Sequence, residues 1–173
     1  MVFTDASFQR VTMTGELGIV LWIPELDEYF YSSSGLPSWV VALWTGIEER
    51  DTFISPAEAL VAACAYMYFT FPDLLRGRFV HHRVDNDAAK AGLIKGTSSI
   101  PHTSVVLLDY HVVNMVELQC DPWVQGFVYS GDNLSGPPSR GDFTLMRRLS
   151  AAYRPMRFPA SWASRYAWFR GGV

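Results

Sequence analysis

Three acidic residues, far apart in the chain, stand where an unpaired charge would be costly. Asp5 follows the apolar opening run Val2-Phe3-Thr4 and precedes Ala6-Ser7. Glu58 lies in Ser55-Pro56-Ala57-Glu58-Ala59-Leu60, at the start of an alanine- and leucine-rich stretch. Asp85 ends the run Arg78-Phe79-Val80-His81-His82-Arg83-Val84 and opens Asp85-Asn86-Asp87. Carboxylates that converge repel one another unless a cation neutralises them, so the trio reads as a divalent-metal site. Hard oxygen donors suit Mg²⁺ or Mn²⁺, which keep water ligands and bind substrate phosphates. Two such ions ~3.5–4 Å apart can activate a water and stabilise the leaving oxygen in phosphodiester cleavage. Each acid also has a local alternative. Ser55-x-x-Glu58 is a capping box, which would leave Glu58 a purely structural task. Asp87 competes with Asp85, but its place suits the first turn of a helix.

The elements that must position these residues are legible in outline. Val2–Thr4 is strand-like, Glu16–Ile23 is a β-branched run closed by Pro24, and Asp27–Ser32 reads as a third strand before the loop Ser33–Pro37. Short connections make an antiparallel meander the economical arrangement. Ser38–Trp44 fits either a strand or a helical turn. Ser55–Tyr68 is the clearest helix, with Ser55 placed to cap and Pro56 in the first turn. Arg78–Val84 predicts a fourth strand, on which His81 and His82 must point to opposite faces. Asp87–Ile94 predicts a short helix with Gly96 just past its end. Ser104–Leu118 has helical spacing at Val105, Leu108, Val112 and Met115. Trp123–Tyr129 predicts a strand, and Asp142–Ala152 a last helix. The order of elements is three strands, helix, strand, two helices, strand, helix. In such a sheet, strand ends and a packed helix start can meet on one edge, where ligands usually bind.

Composition narrows the function classes. A chain of 173 residues with 49% hydrophobic and 14% aromatic content is expected to pack one sizeable core. A net charge of −3 lacks the basic excess of a stand-alone nucleic-acid binder, so any grip on nucleic acid must be local or shared with a neighbouring domain. Cys64 and Cys120 form no Cys-x-x-Cys pair or Cys/His cluster, and are expected to be reduced core thiols of an intracellular protein. Asp5 and Arg10 interrupt the N-terminus, against a signal peptide, and no apolar run reaches the ~18 residues of a membrane span. The expectation is therefore an intracellular, non-secreted chain with no membrane partner.

These residues resemble the ribonuclease H superfamily, in particular the ribonuclease H-like domain of retroelement reverse transcriptases. The resemblance rests on Thr4-Asp5-Ala6-Ser7, on Glu58 before Ala59-Leu60, on Val84-Asp85-Asn86, and on Asn133–Arg140 (NLSGPPSR) after the Trp123–Tyr129 run. It spans about residues 2 to 150. It implies an α/β fold with a mixed five-stranded sheet, strands 1–3 antiparallel and the rest parallel additions, flanked by helices. It also implies an endonuclease that cleaves the RNA strand of RNA–DNA hybrids with two Mg²⁺ or Mn²⁺ ions, next to a reverse transcriptase domain of a polyprotein. Asp5 would bridge both ions, with Glu58 and Asp85 supporting the site.

The family's fourth carboxylate falls on Gly136, which offers no side-chain ligand. Asp142 is the expected substitute, opening the last helix, and Asp132 is the fallback. The histidine that some members place near the last helix is also missing, so a catalytically degenerate domain with a binding or scaffolding role is the alternative. A resolvase- or transposase-type nuclease acting on DNA would share the metal chemistry. Arg83, Asn86, Lys90, Lys95 and Arg140 are the candidate nucleic-acid contacts. The domain is expected to span 1–152, and 153–173 is an aromatic and basic extension packing on it.

Overall fold

The computed structural model describes residues 1–45, 53–66, 71–99, 101–124, 128–156 and 158. The opening run forms β1 (Val2–Gln9), followed by β2 (Thr14–Ile23) and β3 (Glu28–Gly35). The three make the expected antiparallel meander, with Asp5 opposite Gly18 and Val20 opposite Tyr31. The chain then crosses through α1 (Ser38–Thr45), α2 (Ile54–Tyr66) and the single turn α3 (Pro72–Leu75). It returns as β4 (Phe79–Val84), parallel to β1 in a short register from Val2–His82 to Thr4–Val84. After α4 (Asp87–Lys95) and α5 (Pro101–Val112), which continues as a π-helical turn over Val113–Leu118, β5 (Asp121–Val124) adds parallel to β4. Two 3₁₀ turns (Ser130–Asp132 and Pro138–Arg140) lead to α6 (Thr144–Arg148) and to β6 (Ala152–Tyr153).

The sheet order is β5-β4-β1-β2-β3-β6, so β1 lies deep in the sheet, with β4 parallel on one side and β2 antiparallel on the other. The sheet has six strands rather than five. The extra one arises because α6 is shorter than the Asp142–Ala152 expectation. Ser150 adopts a left-handed φ of 51°, and Ala152–Tyr153 then pair with Phe30–Tyr31. Arg154 anchors the turn beyond, with Nη1 2.8 Å from Asp73 Oδ1 and its guanidinium over the Phe30 ring. Of the aromatic extension, residues 157 and 159–173 lie outside the described residues, as do 67–68 of the expected Ser55–Tyr68 helix and 125–127 of the expected late strand.

One face of the sheet is covered by α2, which also packs against α4 and α5. Every residue of α2 from Pro56 to Tyr66 is therefore buried, and the helix is apolar nearly all round, as an enclosed helix must be. The alanines at 57, 59, 62, 63 and 65 keep it close to its neighbours. The opposite face is covered by a smaller cluster of Phe3, Val20 and Met146, with Leu134, Phe143 and Leu149 around it. Cys64 and Cys120 are free and buried, as expected. Among the described residues no helix is long and apolar enough to cross a membrane.

Candidate metal centre

The pairing of β1 with β4 stops at Thr4–Val84, and the consequences of that short register build the site. Past it, β1 continues alone on that side and the Ala6 N–H has no strand partner there. Glu58, the one acid on α2, fills the gap, its Oε1 accepting from Ala6 N at 2.9 Å. Asp85 follows the last residue of β4 directly, at the mouth of the same gap. Asp5 sits beside it on β1. One carboxylate oxygen from each of Asp5, Glu58 and Asp85 lies within 4.8 Å of the others. Asp5 and Glu58 are buried and Asp85 half-buried.

The capping-box alternative for Glu58 does not hold. α2 begins at Ile54, so Ser55 sits inside the first turn, and Glu58 is hydrogen-bonded to Ala6 of β1 instead. Its second oxygen, Oε2, is buried without a hydrogen-bond partner, which is costly for a carboxylate. Burial, then the Asp5 charge, pushes the Glu58 carboxyl well above its usual range, against the pull of the Ala6 N–H. Burial also holds Asp5 above its usual range, with the Asp85 charge adding to the rise and the Ser139 hydroxyl and Arg140 guanidinium opposing it.

The segment Asn133–Arg140 lies across β1 and β2 beside Asp5. Asn133 Nδ2 donates to Thr4 O at 3.1 Å, while its Oδ1 accepts from Ser135 Oγ at 2.6 Å. The Ser139 hydroxyl donates to Asp5 Oδ2, with Gly136 O as a second acceptor at 2.8 Å, and Ser7 Oγ donates to Ser139 O at 2.8 Å. Gly18, opposite Asp5, lets the segment seat this closely: a Cβ there would stand 2.6 Å from Ser135 O and from Ser139 N. Arg140 Nη1 reaches 3.6 Å from Asp5 Oδ2 with 57% of its side chain exposed, so the pair is at the rim and not in the core. Ser139 was missed by sequence reasoning. It stands in the quoted late motif, but only the folded loop brings its hydroxyl to Asp5.

The fourth carboxylate is not supplied by either expected residue. Among the described residues, the only grouping of three or more potential ligands is the trio itself. Asp142 is exposed, and its carboxylate accepts from Thr144 N at 2.9 Å in the turn just ahead of α6, whose N-cap residue is Phe143. Asp132 is exposed on a 3₁₀ turn. Of the expected contacts, Asn86 caps α4 by accepting from Ala89 N at 2.9 Å, and Arg83 and Lys90 are half-buried. His82 is fully buried with Nε2 3.0 Å from Thr4 Oγ1, while His81 is half-buried on the other face against Trp123.

A pocket of about 280 Å³ opens between α4 and the starts of α2 and α5. Ser55, Lys95, Thr97, Ser98, Ser99 and Thr103 are among its lining residues, and the buried Thr103 hydroxyl has no partner. Ser55 lies one turn before Glu58 on α2. Hydroxyls, an ammonium and a helix start are the groups that hold phosphate.

No family model matches the chain, and no curated protein or solved structure matches it.

Proposed function

We propose that this chain is a metal-dependent nuclease of the ribonuclease H type, cleaving the RNA strand of an RNA–DNA hybrid as a domain of a reverse-transcriptase polyprotein. The observation that carries the reading is the meeting of Asp5, Glu58 and Asp85 at one point, with a buried Glu58 oxygen left unpaired. An all-oxygen donor set with an unsatisfied buried carboxylate fits a hard divalent cation. Mg²⁺ or Mn²⁺ bound there would lower the pKa of a water and offset charge on phosphodiester oxygens. The chain's own residues do the rest. Asp5 is held in orientation by Ser139, whose loop is tied to β1 through Asn133 and Ser7. The pocket between α4 and the starts of α2 and α5 offers Lys95 and several hydroxyls to a phosphate.

A second reading, a catalytically degenerate domain retained for binding, is favoured by Gly136 and by the Ser139 and Arg140 contacts to Asp5. The two are separated by incubating the protein with a labelled hybrid and either Mg²⁺ or Mn²⁺. Metal-dependent release of short RNA products, lost in Asp5→Asn, supports the nuclease. Equal behaviour of the wild type and Asp5→Asn with both metals supports the scaffold. Duplex and branched DNA in parallel reactions test the substrate, since a site that reads the ribose 2′-hydroxyl favours the hybrid.

A further inference from the structure

Where the family resemblance calls for a fourth carboxylate, the structure has a charge of the opposite sign. A Cβ on Gly136 would stand 2.8 Å from Arg140 Nη2 and 3.2 Å from Asn133 O. Gly136 is not among the residues with positive φ, so its backbone conformation does not require glycine. The missing Cβ leaves room for the guanidinium folded back over it, whose Nη1 lies 3.6 Å from Asp5 Oδ2, and a methyl there would push that flexible side-chain end aside. The loop holds that guanidinium in place. Ser139, the preceding residue, is buried, donates to Asp5 and accepts from Ser7 Oγ through its carbonyl.

We propose, resting on the metal-site reading above, that this centre takes one divalent cation rather than two. Arg140 supplies the second positive charge and meets a phosphate of the bound nucleic acid. Three carboxylates, one divalent ion and one guanidinium sum to zero, whereas a second divalent ion would leave the site at plus two. A second ion held by Asp5 would also meet competition at Oδ2, which already faces Ser139 and Arg140. A guanidinium presents a planar fork of donors that matches phosphate oxygens, and with 57% of its side chain exposed it is open to an incoming ligand.

The test is Mn²⁺ binding to the whole chain, followed by calorimetry and by electron paramagnetic resonance, with melting curves to confirm folding. Wild type is expected to bind one Mn²⁺. Arg140→Ala removes the guanidinium, and Gly136→Ala displaces it by occupying its space while keeping its charge in the chain. Both are expected to bind Mn²⁺ roughly two- to fivefold more tightly, the size of effect an exposed ion pair supports. If Gly136→Ala fails to fold, Arg140→Ala decides alone. The salt dependence of hybrid affinity should weaken by about one unit of slope in Arg140→Ala, as for the loss of one phosphate contact. Two Mn²⁺ per wild-type chain, unchanged Mn²⁺ affinity in Arg140→Ala, or an unchanged salt slope would each overturn the inference while leaving the metal site standing. No Mn²⁺ binding at all would remove the site itself, and this inference with it.

Discussion

Glu58→Gln isolates what the metal-free centre costs the fold. Glu58 is 2% exposed, one of its oxygens has no partner, and carboxylate oxygens of Asp5 and Asp85 lie within 4.8 Å. Burial and the Asp5 charge raise its pKa well above the ordinary value. In the unfolded chain a glutamate titrates near ~4.3. Between the two values the native state keeps a proton that the unfolded chain has released. Its contribution to stability is therefore fully present below the unfolded pKa and is lost as pH rises towards the folded one, at about 1.4 kcal/mol per pH unit. Asp5, raised as well, adds a slope of the same sign. Glutamine keeps an oxygen for the Ala6 N–H and puts an NH₂ donor where the unpaired oxygen was. With chelator present, Glu58→Gln is expected to match the wild type near pH 4 and exceed it by roughly 1–3 kcal/mol at pH 8. Urea titrations across that range read the difference directly, and melting should shift by about 2–4 °C per kcal/mol. Excess Mg²⁺ should reverse the order, because the wild type gains stability by mass action and the variant gains less. Parallel pH curves in chelator, or equal stabilisation of both by Mg²⁺, would refute the reasoning.

The remaining predictions use other parts of the same region. His82 is fully buried, and burial lowers its pKa to about 3, so its contribution to stability is present above ~6.5 and is lost as pH falls from there. In His82→Leu the acid-side slope should flatten by about 1.4 kcal/mol per pH unit, although the variant starts less stable by roughly 1–3 kcal/mol because the buried Thr4 hydroxyl loses its partner; urea titrations from pH 4 to 7 check both. Gly18→Ala pushes a methyl against Ser135 O and Ser139 N and should cost about 1–3 kcal/mol in thermal melts, with faster amide exchange across 133–140. Gly131→Ala, which has nothing within 4 Å, is its near-neutral control. Asp142→Ala removes exposed interactions with Thr144 and Arg147, so calorimetry should find Mn²⁺ affinity unchanged and stability only slightly lower.

Much of the secondary structure was readable because its signals are local. The alternation of Val2–Thr4, the apolar run at 16–23 and the strand ending at Val84 mark β1, β2 and β4 within a residue or two, apart from β1's extension to Gln9. Gly96, at φ 72°, closes α4 where its position implied. Elements whose fate depends on distant partners were left open or misread. Ser38–Thr45, open between strand and helical turn, became a helix, α6 stopped early, and Ala152–Tyr153 formed a strand only because β3 had an open edge to receive them.

Within the centre, residue type and spacing singled out Asp5, Glu58 and Asp85, since acids embedded in apolar runs are anomalous wherever they end up. Their convergence was decided by the three-residue register between β1 and β4, which leaves the Ala6 N–H for Glu58 to fill. The same holds for the roles of Asp142, Ser139 and Arg140. Asp142 was expected to reach the site, but the turn ahead of α6 engages its carboxylate with Thr144 N instead. Ser139 and Arg140 gained their places because Gly18 and Gly136 leave room for close approach, and a missing Cβ has meaning only once its neighbours in space are fixed.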